Sequence, residues 1–338
     1  MIAVTIEVVL WIMVLLVVLL FGFSLYLFGA RSKEVRSNIQ VNEYIDDYGR
    51  RWYSYFRDLE PFSDELIPKN KHEMDAVEEL FLTYLQNLSD RGILYKIKRF
   101  ANEHLSAHYR QMLQSRNWSR RMNALYRIAD FQLDQLLETC ESLKQKKITE
   151  EEHYQLLKIK LLLQEDKFMD SFISMTTEIS DFQYKQLFFS LKPAMFAQLL
   201  FHFGKLHPVC QYALIDSLGI KKDIDGLSFL EQRLDSEDAE IRIRSLKAIN
   251  ELGVRIDIDR YKPFVTSPVW EERLMAAQLL QRLPFEETAS FFERMKDDPS
   301  WYVREEAKKA IAEYGQYAND PVSRPAKEES YPLERIEP

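Results

Sequence analysis

Glycine, proline and cysteine are all scarce in this chain, at 9, 12 and 2 of 338 residues, where glycine and proline ordinarily reach roughly 7% and 5%. So few turn residues, with almost no period-two alternation, imply an all-α fold. No two glycines lie closer than seven residues apart, Gly22 to Gly29 and Gly219 to Gly226 being the nearest pairs. Phosphate-cradling loops, the dinucleotide fingerprint and the nucleophile elbow need closer glycines, which let backbone amides crowd a ligand or form a strained turn. Those enzyme classes fall on spacing, no other catalytic set replaces them, and the sequence reads as non-enzymatic and without a cofactor. Cys140 and Cys210 form no CxxC pair and no disulfide framework, which excludes a thiolate zinc site and fits a reducing compartment.

One feature is abundant. Residues 8–30 are 23 consecutive uncharged positions, and at 1.5 Å per residue such a helix spans about 35 Å, enough for a hydrocarbon core of about 30 Å. A cleaved signal peptide is the competing reading, but it expects a basic leading segment and a shorter apolar stretch. No Lys or Arg precedes Arg31, so a retained single-pass anchor is preferred. Arg31, Lys33 and Arg36 follow the run and Glu7 precedes it. The positive-inside rule then expects the N-terminus outside and the remainder cytoplasmic.

After the run, apolar residues recur at Val35, Ile39, Ile45, Tyr48, Trp52, Tyr55 and Leu59, near a helical period, before a break from Pro61 to Pro68. This stretch, residues 31–68, reads as a helical connector. Further helices are expected at about residues 71–88, 93–114, 118–145, 149–164, 166–179, 181–191 and 194–203.

Internal repeats organise the rest. Three segments align without gaps, beginning at Ala239, Val269 and Tyr302, with Arg242, Arg273 and Arg304 spaced 31 and 31. The small residues Ser245, Ala276 and Ala307 coincide, as do the bulky Ile249, Leu280 and Ile311. Trp270 matches Trp301, and Trp118, Arg121, Ala124 and Ile128 carry the same spacing earlier. Two loops, Leu218 to Asp225 and Leu252 to Asp259, repeat at an offset of 34. Glycine past one helix and Asp before the next is the stop and start chemistry of a helical hairpin.

This pattern of an acidic turn, Val-Arg-x-x-Ala-x-x-Ala-Ile and a closing Leu-Gly resembles HEAT repeats, of the armadillo-like α-solenoid class. The resemblance is clearest over residues 207–315, extends to about 117–140 and is absent from residues 1–60. It implies helix pairs stacked behind the N-terminal anchor. It also implies that Arg242, Arg273 and Arg304 are structural, with Asp235, Asp297 or Asp298 as partners. Glu272 departs from the pattern, standing where Ile241 and Val303 stand, so that repeat is expected to be partly open. Residues 69–206 read as divergent helical repeats, and residues 316–338, rich in proline and charge, as a disordered tail.

Candidate chemistry is sparse. His104 and His108 share a helix face but lack the glutamate or thiolates of a metal site. The pairs Asp223/Asp225 and Asp257/Asp259 read as helix caps in equivalent loops. Residues 91–128 are the charge anomaly, with nine basic residues against Glu103 in a chain of net charge −8. Arg110, Arg116, Arg120 and Arg121 are the candidate contacts there. The block serves as a solvated face, as a surface for anionic lipid headgroups, or as a contact for a partner; an acidic, tethered chain argues against nucleic acid. The leading expectation is a membrane-anchored scaffold that binds or positions a protein. An accessory subunit of a membrane enzyme complex, such as a polysaccharide-synthesising glycosyltransferase, is the alternative.

Overall fold

The computed structural model describes residues 6–87, 90–143, 147–175, 178–254 and 257–319. Among these there is no strand, and the fold is all-α. The chain divides between Asp166 and Lys167 into two compact units; the repeat pattern instead marks a change at 206/207.

The first helix, α1 (Ile6–Phe56), has 51 residues, about 76 Å at the ordinary rise. It holds both the apolar run and the stretch expected as a connector in one helix long and apolar enough to cross a membrane, because nothing at residue 31 breaks a helix: charge begins there, but no proline or helix-ending glycine does. Its apolar half is bare, with every large side chain from Leu10 to Phe28 exposed. From Val41 the same helix turns one face inward, burying Val41, Tyr44, Trp52, Tyr55 and Phe56 at helical spacing. Fully buried Trp52 meets the rings of Phe81 and Phe100 edge-on at 4.9 and 5.0 Å, and its Nε1 donates to the Tyr44 hydroxyl at 3.3 Å. Asp58, at φ 57, ends the helical run in the left-handed region.

The chain then doubles back beside α1, where Leu66 carbonyl accepts from Tyr44 at 3.1 Å. Helix α2 (Lys71–Asn87) therefore runs in the same direction as α1: His72 meets Ser37, Phe81 meets Trp52 and Tyr84 meets Phe56. Helix α3 (Arg91–Phe100) starts on an Asp90 cap and continues through a π-helical turn, Ala101–Leu105, into α4 (Ser106–Leu113). Buried Asn102 explains that turn. Its amide donates to the Lys98 and Gln132 carbonyls, and its oxygen accepts from the Gln135 amide, tying the helix to the next hairpin.

Helix α5 (Trp118–Phe131) ends at Gln132, φ 53, and a turn leads into α6 (Leu137–Leu143). The single helix expected over 118–145 is thus two, broken by a left-handed residue that is not glycine. Helix α7 (Glu150–Leu163) starts on a capping box between Thr149 and Glu152, and α8 (Glu165–Ile173) follows.

In the second unit, α9 (Asp181–Ser190), α10 (Pro193–Phe201), α11 (Pro208–Lys221), α12 (Leu227–Arg233), α13 (Ala239–Leu252), α14 (Ile258–Tyr261), α15 (Trp270–Leu280), α16 (Phe285–Met295) and α17 (Trp301–Asn319) follow in order. Helix α11 packs on α9 and α13, and α15 on α13 and α17. Ser245, Ala276 and Ala307 are fully buried at these contacts. A Cβ on Gly219 would lie 2.8 Å from the Ala248 Cα, so α11 and α13 approach backbone to backbone. Gly253, at φ 72, closes α13 in the left-handed cap that favours glycine. Helix α17 runs through Asn319, past the expected start of the tail at 316, and residues 320–338 lie outside the described residues.

Candidate functional site

The repeated arginines share one geometry. Arg121, Arg242, Arg273 and Arg304 are each the fourth residue of their helix. Each turns Nη1 back onto the carbonyls six and five residues earlier: Ser115 and Arg116, Ser236 and Glu237, Ser267 and Pro268, Asp298 and Pro299. The guanidinium thereby ties down the turn that enters its own helix. Three of the four also reach a carboxylate 25 to 31 residues further along the chain. Arg121 Nε donates to Glu152 at 2.5 Å, Arg242 to Glu272 at 2.7 Å, and Arg273 bridges both oxygens of Asp298 at 2.7 and 2.8 Å.

Two expectations are corrected here. Arg121 offers no free charge to a surface, because Glu152 and two carbonyls occupy its guanidinium; it keeps the same company as Arg242. Glu272 does not open its repeat. It is buried, held by Arg242 and by the Ser267 hydroxyl, as Glu152 is held by Arg121 and by Thr149. Burial pushes the Glu152 carboxyl up, but hydrogen bonds from Arg121 and Thr149 outweigh it and hold the group below the usual range. Asp298 is held low in the same way by Arg273 and the Ser300 amide. Asp235 pairs with Arg260 at 2.7 Å rather than with a repeat arginine.

The block 91–128 sorts into spent and unspent charge. Lys96 is held by Asp58 and the Tyr55 and Phe56 carbonyls, Lys98 by Asp134, Arg99 by Glu103, and Arg127 by Glu78 and Asp130. Among the described residues no ion pair engages Arg91, Arg110, Arg116 or Arg120, and all four are exposed.

Arg120 lines a cleft of about 440 Å³ in the first unit with Lys71, Asp75 and Glu78 of α2, His108 and Met112 of α4, and Asn123 and Arg127 of α5. Spacings of three and four residues set each trio or pair on one helix face. The Glu78 end is closed electrostatically: one carboxylate oxygen accepts from the Tyr109 hydroxyl at 2.6 Å and the other from Arg127 at 3.0 Å. Burial, then the Glu78 charge, pushes the Tyr109 hydroxyl far above its ordinary range, so it stays a donor. The Lys71 and Arg120 end carries the unspent cations, with Asp75 between them. Burial raises the Asp75 carboxyl against the opposing pull of Lys71.

Sequence reading singled out Arg120 but missed Lys71, Asp75 and His108 as its neighbours, because only packing joins α2 to the α4–α5 hairpin. His104 packs on the rings of Phe62 and Phe100, away from any metal-binding cluster among the described residues. Asp257 caps α14 through the Asp259 amide, whereas the Asp223 side chain makes no such capping bond. Both cysteines are buried, and burial pushes the Cys210 thiol up to about 12, far from thiolate reactivity.

No family model matches the chain, and no curated protein matches it. Among solved structures, an engineered protein is similar at 13% identity over 65% of this chain and 97% of its own, with a TM-score of 0.26. Human deoxyhypusine hydroxylase in complex with glycerol is similar at 13% identity over 83% of this chain and 99% of its own, with a TM-score of 0.27. At such scores neither likeness speaks to helix arrangement or activity.

Proposed function

We propose that the chain is a single-pass membrane protein whose cytoplasmic helical units form a HEAT-like α-solenoid that holds a protein partner at the membrane. The observation that carries this reading is α1. One apolar half has no protein around it, and the other half buries one face in a folded core. A stripe of bare leucine, valine and phenylalanine around a whole helix is costly in water and stable in hydrocarbon. The cations that follow it, Arg31, Lys33 and Arg36, favour the cytoplasmic side.

Recruitment is supported by exposed aromatics on the second unit. Trp270 stacks on Tyr302 at 5.1 Å, and Trp301 stands edge-on to the same Tyr302. Trp301 and Tyr302 are more than half exposed, and residues of this kind dominate binding energy at protein interfaces. A photo-crosslinking residue at Tyr302 in the full-length chain tests the reading in cells. The expected result is one discrete adduct whose protein leaves the membrane fraction when the chain is deleted. A chain released from membranes by alkaline carbonate, or an adduct partner that stays membrane-bound after deletion, would overturn it.

A further inference from the structure

We infer that the Lys71, His108 and Arg120 end of the cleft is a seat for the phosphate of an anionic lipid headgroup. This inference rests on the reading of α1 as a membrane span. The helix directions of the first unit supply the geometry. Ser37 Oγ lies 3.1 Å from His72 Nδ1, so the start of α2 is level with Ser37. Ser37 is seven residues past the last residue of the uncharged run at 30, which is about 10 Å along the axis. That distance lies a few ångström beyond a headgroup layer of about 5–8 Å and is about one Debye length of physiological salt.

The helix running from α3 into α4 travels back along α1. Its Lys96 meets the carbonyls of Tyr55 and Phe56, its Phe100 meets Trp52, and its Tyr109 meets Glu78. The end of α4, the turn holding Arg116 and the start of α5 therefore come up at the span side of the unit, beside Lys71. Of the four exposed arginines of residues 91–128 that have no ion pair among the described residues, Arg120 lines the cleft there and Arg116 lies in the adjoining turn, while Arg110 is on the opposite face of α4 from His108 and Met112. The fourth, Arg91, lies at the opposite end, beyond Lys96.

The carboxylates near this end are Glu73, Asp75 and Glu78 of α2, with Glu150 and Glu151 of α7, whose cap residue Thr149 accepts from Trp118. Glu73 is taken by the Lys69 amide and the Asn70 side chain, and Glu78 by Tyr109 and Arg127. Glu150 and Glu151 flank the patch at the start of α7. Asp75 lines the cleft with Lys71 and His108 and feels both, and it supplies an acceptor for a headgroup hydroxyl, so a phosphoglycerol head would offer phosphate to the cations and a hydrogen-bond donor to the carboxylate. A free phosphate would meet only the cations.

The test uses the full-length chain in lipid nanodiscs, of phosphatidylcholine alone or mixed with phosphatidylglycerol, read by amide hydrogen exchange. Phosphatidylglycerol is expected to slow exchange several-fold over residues 71–76 and 114–121 and to lose that effect in high salt. The double variant K71E/R120E should abolish the difference between the two discs, whereas R91E, the same reversal at the far end, should retain it. Equal exchange in both discs, from a chain that resists carbonate extraction, would overturn the seat and leave the anchor standing. Release by carbonate would overturn the anchor and the seat with it. Inorganic phosphate slowing the same amides in phosphatidylcholine discs as strongly as phosphatidylglycerol would overturn the lipid in favour of a free anion.

Discussion

A buried arginine with a carboxylate partner is a device whose value depends on both halves. Arg242 and Glu272 are both largely buried, so removing one strands the other. Arg242→Met alone is expected to cost about 3 kcal/mol. Adding Glu272→Val, the side-chain type at the equivalent Val303, should recover most of that loss, because a buried pair replaced by apolar groups is often neutral. Denaturant melts of the two single variants and the double variant in detergent would show it; additive losses would mean that the two side chains do not interact. The carboxylates also set a pH limit. Glu152 and Asp298 titrate lower in the folded chain than their ordinary values, so their stabilisation is present above about pH 4 and is lost as pH falls through the depressed values. The melting temperature should drop in acid below about pH 4, and less steeply in Asp298→Asn than in the parent.

At the scale of helices, the small residues carry the packing. Ala307 is fully buried where α17 meets α15, and Ala307→Trp is expected to cost roughly 1–3 kcal/mol or more by overpacking. An unchanged melting temperature would mean that the site is not a close helix contact. Gly219→Ala sets two effects against each other: a helix-propensity gain of up to about 1 kcal/mol and a Cβ placed 2.8 Å from the Ala248 Cα. The contact is with backbone, so the variant should melt lower.

These positions were legible because the 31-residue register aligns Ser245, Ala276 and Ala307 in the sequence itself. The acceptors were less so. Glu152 follows Arg121 by 31 residues and Glu272 follows Arg242 by 30, a signal present in the sequence but masked by its standing in an apolar column. The break at Gln132 left no mark, since a left-handed residue that is not glycine looks like any other. The cleft was invisible for a different reason. Lys71 and Arg120 are 49 positions apart, and no periodicity links a helix to the hairpin that packs on it.

For the molecule as a whole, the proposed orientation makes a direct claim. Protease added outside intact cells should leave both helical units undigested, while the same protease should cut them in permeabilised cells. Digestion in intact cells would reverse the topology drawn from Arg31, Lys33 and Arg36. The unbroken run of α1 from the apolar stretch into the core has a mechanical meaning as well. A span joined to its body by a loose linker lets the body wander; a helix without a joint acts as a lever. From residue 31 to Phe56 the arm is about 39 Å long, and a tilt of about 20°, ordinary for a span adjusting to bilayer thickness, would swing its far end sideways by about 13 Å. With α1 spanning a bilayer as proposed, whatever the body carries would be moved by the thickness of that membrane.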